Sequence, residues 1–120
     1  MKIMIVDDHR DMRSVLKNMI ELSFAEAVDS FIECESGEEA VEQFREQHPD
    51  CVIMDFQMHN MTGFEATQKI MEMDGKAKIV IVTSYDSPSI KSKAEQLHVT
   101  GFVSKDNLSD IYHILQPIIQ

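Results

Sequence analysis

The sequence changes hydrophobic period nine times along its length, and that alternation restricts its folds more than any other feature. Short apolar runs recur at "KIMIV" (2–6), "SFIEC" (30–34), "CVIMD" (51–55), "KIVIVTS" (78–84) and "GFVSK" (101–105). The runs at 2–6, 51–55 and 78–84 are almost continuous in Ile, Val and Met, as expected of strands covered on both faces of a parallel sheet. The run at 30–34 is mixed, which suits an edge strand.

Helical spacing fills the intervals. Met12, Val15, Leu16, Met19 and Ile20 follow the spacing of one buried helix face. Ser36-Gly37-Glu38-Glu39 and Thr62-Gly63-Phe64-Glu65 read as capping boxes. The first precedes Val41 and Phe44, the second Ile70 and Met71. Ser87-Pro88 reads as an N-cap with proline at the first helical position. Leu108, Ile111, Ile114, Leu115 and Ile118 mark a last helix, which Pro117 is expected to kink or end. Five strands alternating with five helices, short connections and right-handed crossovers predict one α/β domain over 1–120. The expected architecture is a doubly wound five-stranded parallel sheet, a flavodoxin-like (βα)5 fold. Its order, 2-1-3-4-5, is borrowed from flavodoxin-like sheets; the sequence alone does not dictate it.

A sheet of this kind binds ligands beyond the carboxyl ends of its strands. Those ends carry Asp7-Asp8, Glu35-Ser36, Asp55, Thr83-Ser84 and Lys105. Adjacent carboxylates repel and resist ionising together. Three of them beside one lysine call for a cation. Mg²⁺ would suit, with carboxylate oxygens, a backbone carbonyl and waters around it. Mg²⁺, an ammonium and a hydroxyl also stabilise a transferring phosphoryl group. One carboxylate would then be the nucleophile. Asp55, single and central, is the candidate.

Composition narrows the partners. The net charge of −10 argues against this chain gripping nucleic acid by itself. No apolar stretch is long enough to cross a membrane, and the start lacks a secretion pattern. Cys34 and Cys51 sit in apolar runs without metal-binding spacing and read as reduced buried thiols, so a cytoplasmic location is expected. The nine methionines read as core filler.

"IVDDH" (5–9), "DCVIMDFQM" (50–58) with Gly63, "IVIVTS" (79–84) and "GFVSKD" (101–106) stand in one order on these strand ends. With them the whole chain resembles the receiver domain of two-component response regulators. "DDH" and "KD" further resemble receivers of the NarL/FixJ type. The resemblance implies that Asp55 accepts phosphate from a sensor histidine kinase. Asp8 would bind Mg²⁺ directly and Asp7 largely through water, with the Gln57 backbone carbonyl as a further ligand. Lys105 would pair with the phosphoryl group. Thr83 would swing its hydroxyl towards it while Phe102 rotates inward, a population shift between two packings. The face of helix four, strand five and helix five would carry that change to an output domain or downstream protein, or to a phosphorylation-linked homodimer.

The chain departs from the family pattern in places. Asp106 replaces the proline common after the lysine, where the preceding peptide is often cis; a cis bond here would cost about 2.5–4 kcal/mol. His59 replaces a common loop proline and reads as an exposed bystander. Gln57 and Tyr85 would flank the phosphoryl group and shield it from water. His9, Arg10 and Asp11 read as a solvated helix start, with a kinase contact as the alternative. Lys91 and Lys93 read as solvent-facing charges, with a dimer face as the alternative, and Tyr112 as packing.

Other classes stay open at this point. A haloacid-dehalogenase-type phosphatase shares the Asp nucleophile and Mg²⁺ but needs a second aspartate where Gln57 stands. A flavodoxin-type cofactor module needs a Ser/Thr/Gly-rich loop in place of "DDHRD". A degenerate receiver would act as a phosphorylation-independent scaffold. The chain would be either a single-domain regulator or the receiver part of a longer DNA-binding one.

Overall fold

The computed structural model describes residues 1–85 and 87–119. Strands β1 (Lys2–Val6), β2 (Ser30–Cys34), β3 (Cys51–Asp55), β4 (Ile79–Thr83) and β5 (Gly101–Ser104) alternate with helices α1 (Arg10–Phe24), α2 (Gly37–Gln47), α3 (Gly63–Met73), α4 (Pro88–Gln96) and α5 (Asp110–Ile119). The strands form one parallel sheet in the order β2-β1-β3-β4-β5.

Period-two alternation divides the core. Met4, Val6, Val52, Met54, Ile79 and Ile81 face one side with Phe44, Ile70 and Ala94 from α2, α3 and α4. Ile3, Ile5, Ile53, Val80, Val82 and Val103 face the other with Leu16, Ile20, Ile111 and Leu115 from α1 and α5. Every residue of β3 and β4 is buried. The outer strand β2 is buried only at Cys34, which accounts for its mixed composition. Cys34 and Cys51 are both buried free thiols, and burial pushes each up to about 12.

Caps start the helices where the sequence places them. Thr62 and Glu65 form a complete capping box, and Ser87 accepts from the Ile90 N–H. The α2 cap differs from expectation. Ser36 accepts from the Glu39 N–H at 3.1 Å, but the Glu39 carboxylate reaches the Glu35 N–H instead of returning to Ser36.

Two further expectations are corrected, and the isomer of one peptide that the sequence left open is fixed. Val15 is 42% exposed, and the charged Arg13 is buried with Leu16 and Ile20 on the inner face of α1. Pro117 lies inside α5, which continues to Ile119. So close to the last turn, its missing N–H removes a single helical bond. No cis peptide occurs among the described residues, so Lys105–Asp106 is trans. Asp106 lacks the proline ring that makes cis accessible. The chain turns there through a short 3-10 segment, Lys105–Asn107, with the Asp106 N–H donating to Ser104 Oγ at 3.2 Å.

Candidate functional site

The carboxyl ends of β1, β3, β4 and β5 are consecutive neighbours, so the sheet itself gathers Asp7, Asp55, Thr83 and the residue after β5, Lys105. Asp7 is 1% and Asp55 4% exposed. Lys105 Nζ stands 3.2 Å from Asp7 Oδ2 and 3.3 Å from Asp55 Oδ1. Burial raises the Asp55 carboxyl to about 6; the Asp7 charge adds to this, and Lys105 only partly opposes it. Burial draws the Lys105 ammonium down, but Asp55 and Asp7 outweigh it and hold its pKa above the ordinary lysine value.

Asp8 completes the cluster. Its Oδ1 is shut away from solvent and has no aligned hydrogen-bond donor among the described residues. Asp7, Asp8, His9 and Asp55 each bring one ligand atom within 4.8 Å of all the others. An orphaned buried carboxylate oxygen among other oxygen donors fits a hard divalent cation.

Thr83 is fully buried, and its Oγ1 accepts the Tyr85 N–H at 3.0 Å. The hydroxyl proton is therefore free to be donated elsewhere. Gln57, Ser84 and Tyr85 join His9, Asp55 and Lys105 around a pocket of about 220 Å³. Gln57 also lines the neighbouring cleft with Asp8, His9, Met58 and His59. Phe102 is half-buried against the α2–α3–α4 core and is not part of the pocket wall. It pairs with Ile81 while Thr83 pairs with Ser104, so Thr83 and Phe102 stand two positions apart on the same face of adjacent strands. His59 is 94% exposed, with Nε2 3.8 Å from Asp8 Oδ2.

Two contributors lie outside the sequence reading of the site. The side chain of His9 turns back onto it, with Nδ1 3.2 Å from Asp7 Oδ1 and 3.0 Å from Asp8 Oδ1. Arg13 reaches under the acidic turn. Its Nη1 donates to the Asp7 carbonyl at 2.7 Å, and its Nε donates to Glu33 on β2 at 3.1 Å. The "DDH" triplet was the available signal for His9. Nothing in the sequence marks Arg13, because its partners come from the β1–α1 turn and a different strand. Gly63 has a steric reason: a Cβ there would stand 2.0 Å from the Asp55 carbonyl oxygen. Only glycine lets α3 start this close to the end of β3.

The response regulator receiver domain model matches residues 3–116. The chain is 38% identical over 104 residues to the chemotaxis protein CheY of Halobacterium salinarum, covering 87% of this chain and 83% of that one. It is 32% identical to the transcriptional regulatory protein YdfI of Bacillus subtilis, covering 99% of this chain and 55% of YdfI. Among solved structures, a LuxR-family two-component response regulator from Aurantimonas superposes with a TM-score of 0.89 at 30% identity, covering 98% of this chain and 84% of that one. CheY is itself a standard example of the 2-1-3-4-5 order. These likenesses do not favour the phosphatase, cofactor-module or scaffold readings. The chain belongs to the response regulator receiver family, the phosphoacceptor switches of two-component signal transduction.

Proposed function

We propose that Asp55 is the phosphoacceptor, and that a sensor histidine kinase is the physiological donor. The observation that carries this reading is the pairing of a buried, central Asp55 with Lys105 at 3.3 Å in an open pocket. An Asp55 oxygen attacks phosphorus, the new O–P bond forms, and the donor leaves with the electrons of the broken bond. Lys105 faces the charge that spreads over the equatorial oxygens. The Thr83 hydroxyl donates to one of them, and Phe102 repacks on the same sheet face. Gln57 and Tyr85 cover the acyl phosphate against water.

Asp7, Asp8, Asp55 and the Gln57 carbonyl are the candidates to hold Mg²⁺, which would neutralise charge on the carboxylates and on the transferring group. The domain is a regulatory phosphoacceptor without turnover of an external substrate, acting in the cytoplasm. It passes its state through the α4–β5–α5 face to an output domain, a downstream protein or a second copy. Lys91 and Lys93 of α4 are exposed, and Lys93 Nζ lies over the Phe64 ring of α3. YdfI and the LuxR-family neighbour are named as regulators, which supports a transcriptional output.

The test is intact mass after incubation with acetyl phosphate. Wild type with Mg²⁺ gains one phosphoryl group; wild type in EDTA and Asp55→Asn gain none. An unchanged gain in Asp55→Asn would reject the assignment.

A further inference from the structure

The acidic pocket contains a nitrogen donor. His9 is the residue just before α1, and its ring is exposed to solvent on one side. Its backbone N–H donates to Asp7 Oδ1 at 2.8 Å, which fixes the turn and aims the ring into the carboxylates. Nδ1 stands 3.2 Å from Asp7 Oδ1, a hydrogen bond in the tautomer that carries its proton on Nδ1; a bound cation would take the place of that proton. The contact with Asp8 Oδ1 is shorter, 3.0 Å, yet Asp8 Oδ1 has no aligned hydrogen-bond donor among the described residues. When the imidazole is protonated these two atoms form an ion pair; when it is neutral the same approach leaves Nδ1 beside the carboxylate oxygen. Two donors bound at right angles to one octahedral cation at about 2.1 Å stand about 3.0 Å apart. The 3.0 Å spacing of Asp8 Oδ1 and His9 Nδ1 suits an ion pair and equally two adjacent ligands on a shared ion, and His9 belongs with Asp7, Asp8 and Asp55 to one group of possible ligands within 4.8 Å of one another.

We propose that His9 sets the cation preference of this pocket: its Nδ1 joins Asp7, Asp8 and Asp55 as a fourth protein donor and favours first-row transition cations over Mg²⁺. The inference rests on the reading that the pocket holds a divalent cation. Carboxylates and water suit Mg²⁺, whereas imidazole adds little to Mg²⁺ and much to Co²⁺, Ni²⁺ or Zn²⁺. His9 is therefore a ligand whose worth depends on the metal. The neighbouring His59 reaches Asp8 only at 3.8 Å and lies outside the four-residue cluster.

The test titrates the full chain with MgCl₂, CoCl₂ or ZnCl₂ alone at one fixed pH, comparing wild type, His9→Ala, His59→Ala and Asp8→Asn. Removing His9 weakens Co²⁺ and Zn²⁺ by about tenfold or more and shifts Mg²⁺ by no more than about twofold. His59→Ala leaves all three within about twofold, and Asp8→Asn removes the tight site for every metal. With ¹⁵N-labelled histidine, Zn²⁺ moves the Nδ1 resonance of His9 before that of any other histidine. Equal losses for Mg²⁺ and Co²⁺ in His9→Ala, or no loss for either, would overturn the role of His9 while leaving the metal pocket standing. A wild type that binds no Mg²⁺ would reject the pocket itself, and the inference with it.

Discussion

At the amino-terminal edge of the sheet, Asp29 meets the Met1 ammonium at 2.7 Å with its side chain 84% exposed. Asp50, at the same edge, accepts the Lys2 N–H at 2.7 Å. At the carboxyl-terminal edge, the buried Asp7 and Asp55 share one lysine, with Asp8 clustered beside them. The titrations follow the geometry. The Met1 ammonium lowers Asp29, by hydrogen bond and by charge, whereas burial raises Asp55 to about 6. One edge disposes of its carboxylates by pairing each in water. The other concentrates them beyond what its own cation can neutralise, which is the condition for taking up a metal and a phosphoryl group. Architecture explains why the difference has this direction: in a parallel sheet all five strands end on one edge, so residues at those ends converge.

The sharpest way to break the contrast is to crowd Asp55. Gly63→Ala places a Cβ against the Asp55 carbonyl and should cost about 3 kcal/mol of stability in urea unfolding. Phosphate uptake should fall with it. A variant as stable as wild type would show that the start of α3 is not tied to the site.

Next comes the charge itself. A folded pKa above the unfolded value contributes stability that is complete below the unfolded pKa and lost as pH rises through the folded one. Asp55 is raised from 3.8 to about 6, so metal-free protein should lose stability between those values. The loss should be on the order of 3 kcal/mol. Asp55→Asn removes the ionisation. In EDTA the variant should therefore be the more stable form above the acid range, with the advantage vanishing as pH falls towards 4. A difference independent of pH would contradict this.

A smaller effect is expected beneath the acidic turn. Arg13→Met removes the donor to the Asp7 carbonyl and should weaken Mg²⁺ about tenfold, as supporting hydrogen bonds around metal ligands typically do. Rescue by Arg13→Lys should be partial, since lysine cannot donate to Asp7 and Glu33 at once in a fixed fork. At the opposite edge Asp29→Asn should leave the urea midpoint almost unchanged, because an exposed, solvent-screened pair is worth little.

Most of the fold was legible because its determinants are local. Thr62-Gly63-Phe64-Glu65 forms the capping box that its sequence spells, and the runs at 2–6, 30–34 and 51–55 are strands at those bounds. The convergence of Asp7, Asp8, Asp55, Thr83 and Lys105 followed from strand ends and a borrowed strand order. What escaped was set by distant partners. Arg13 takes an inner position of α1 because Glu33 and the Asp7 carbonyl await it there, and a count of apolar residues assigned that face to Val15. His9 reads as a solvated helix start until its ring is seen against two carboxylates. Lys105–Asp106 follows the intrinsic preference of its own residues, where the family pattern suggested otherwise.

The central claim is that the crowded edge directs its chemistry to one acceptor, Asp55. The direct measurement is to phosphorylate the wild-type chain, reduce the acyl phosphate with borohydride, and map the modified residue by peptide mass. The account predicts reduction at Asp55 alone. Modification at Asp7 or Asp8, with Asp55 intact, would contradict it.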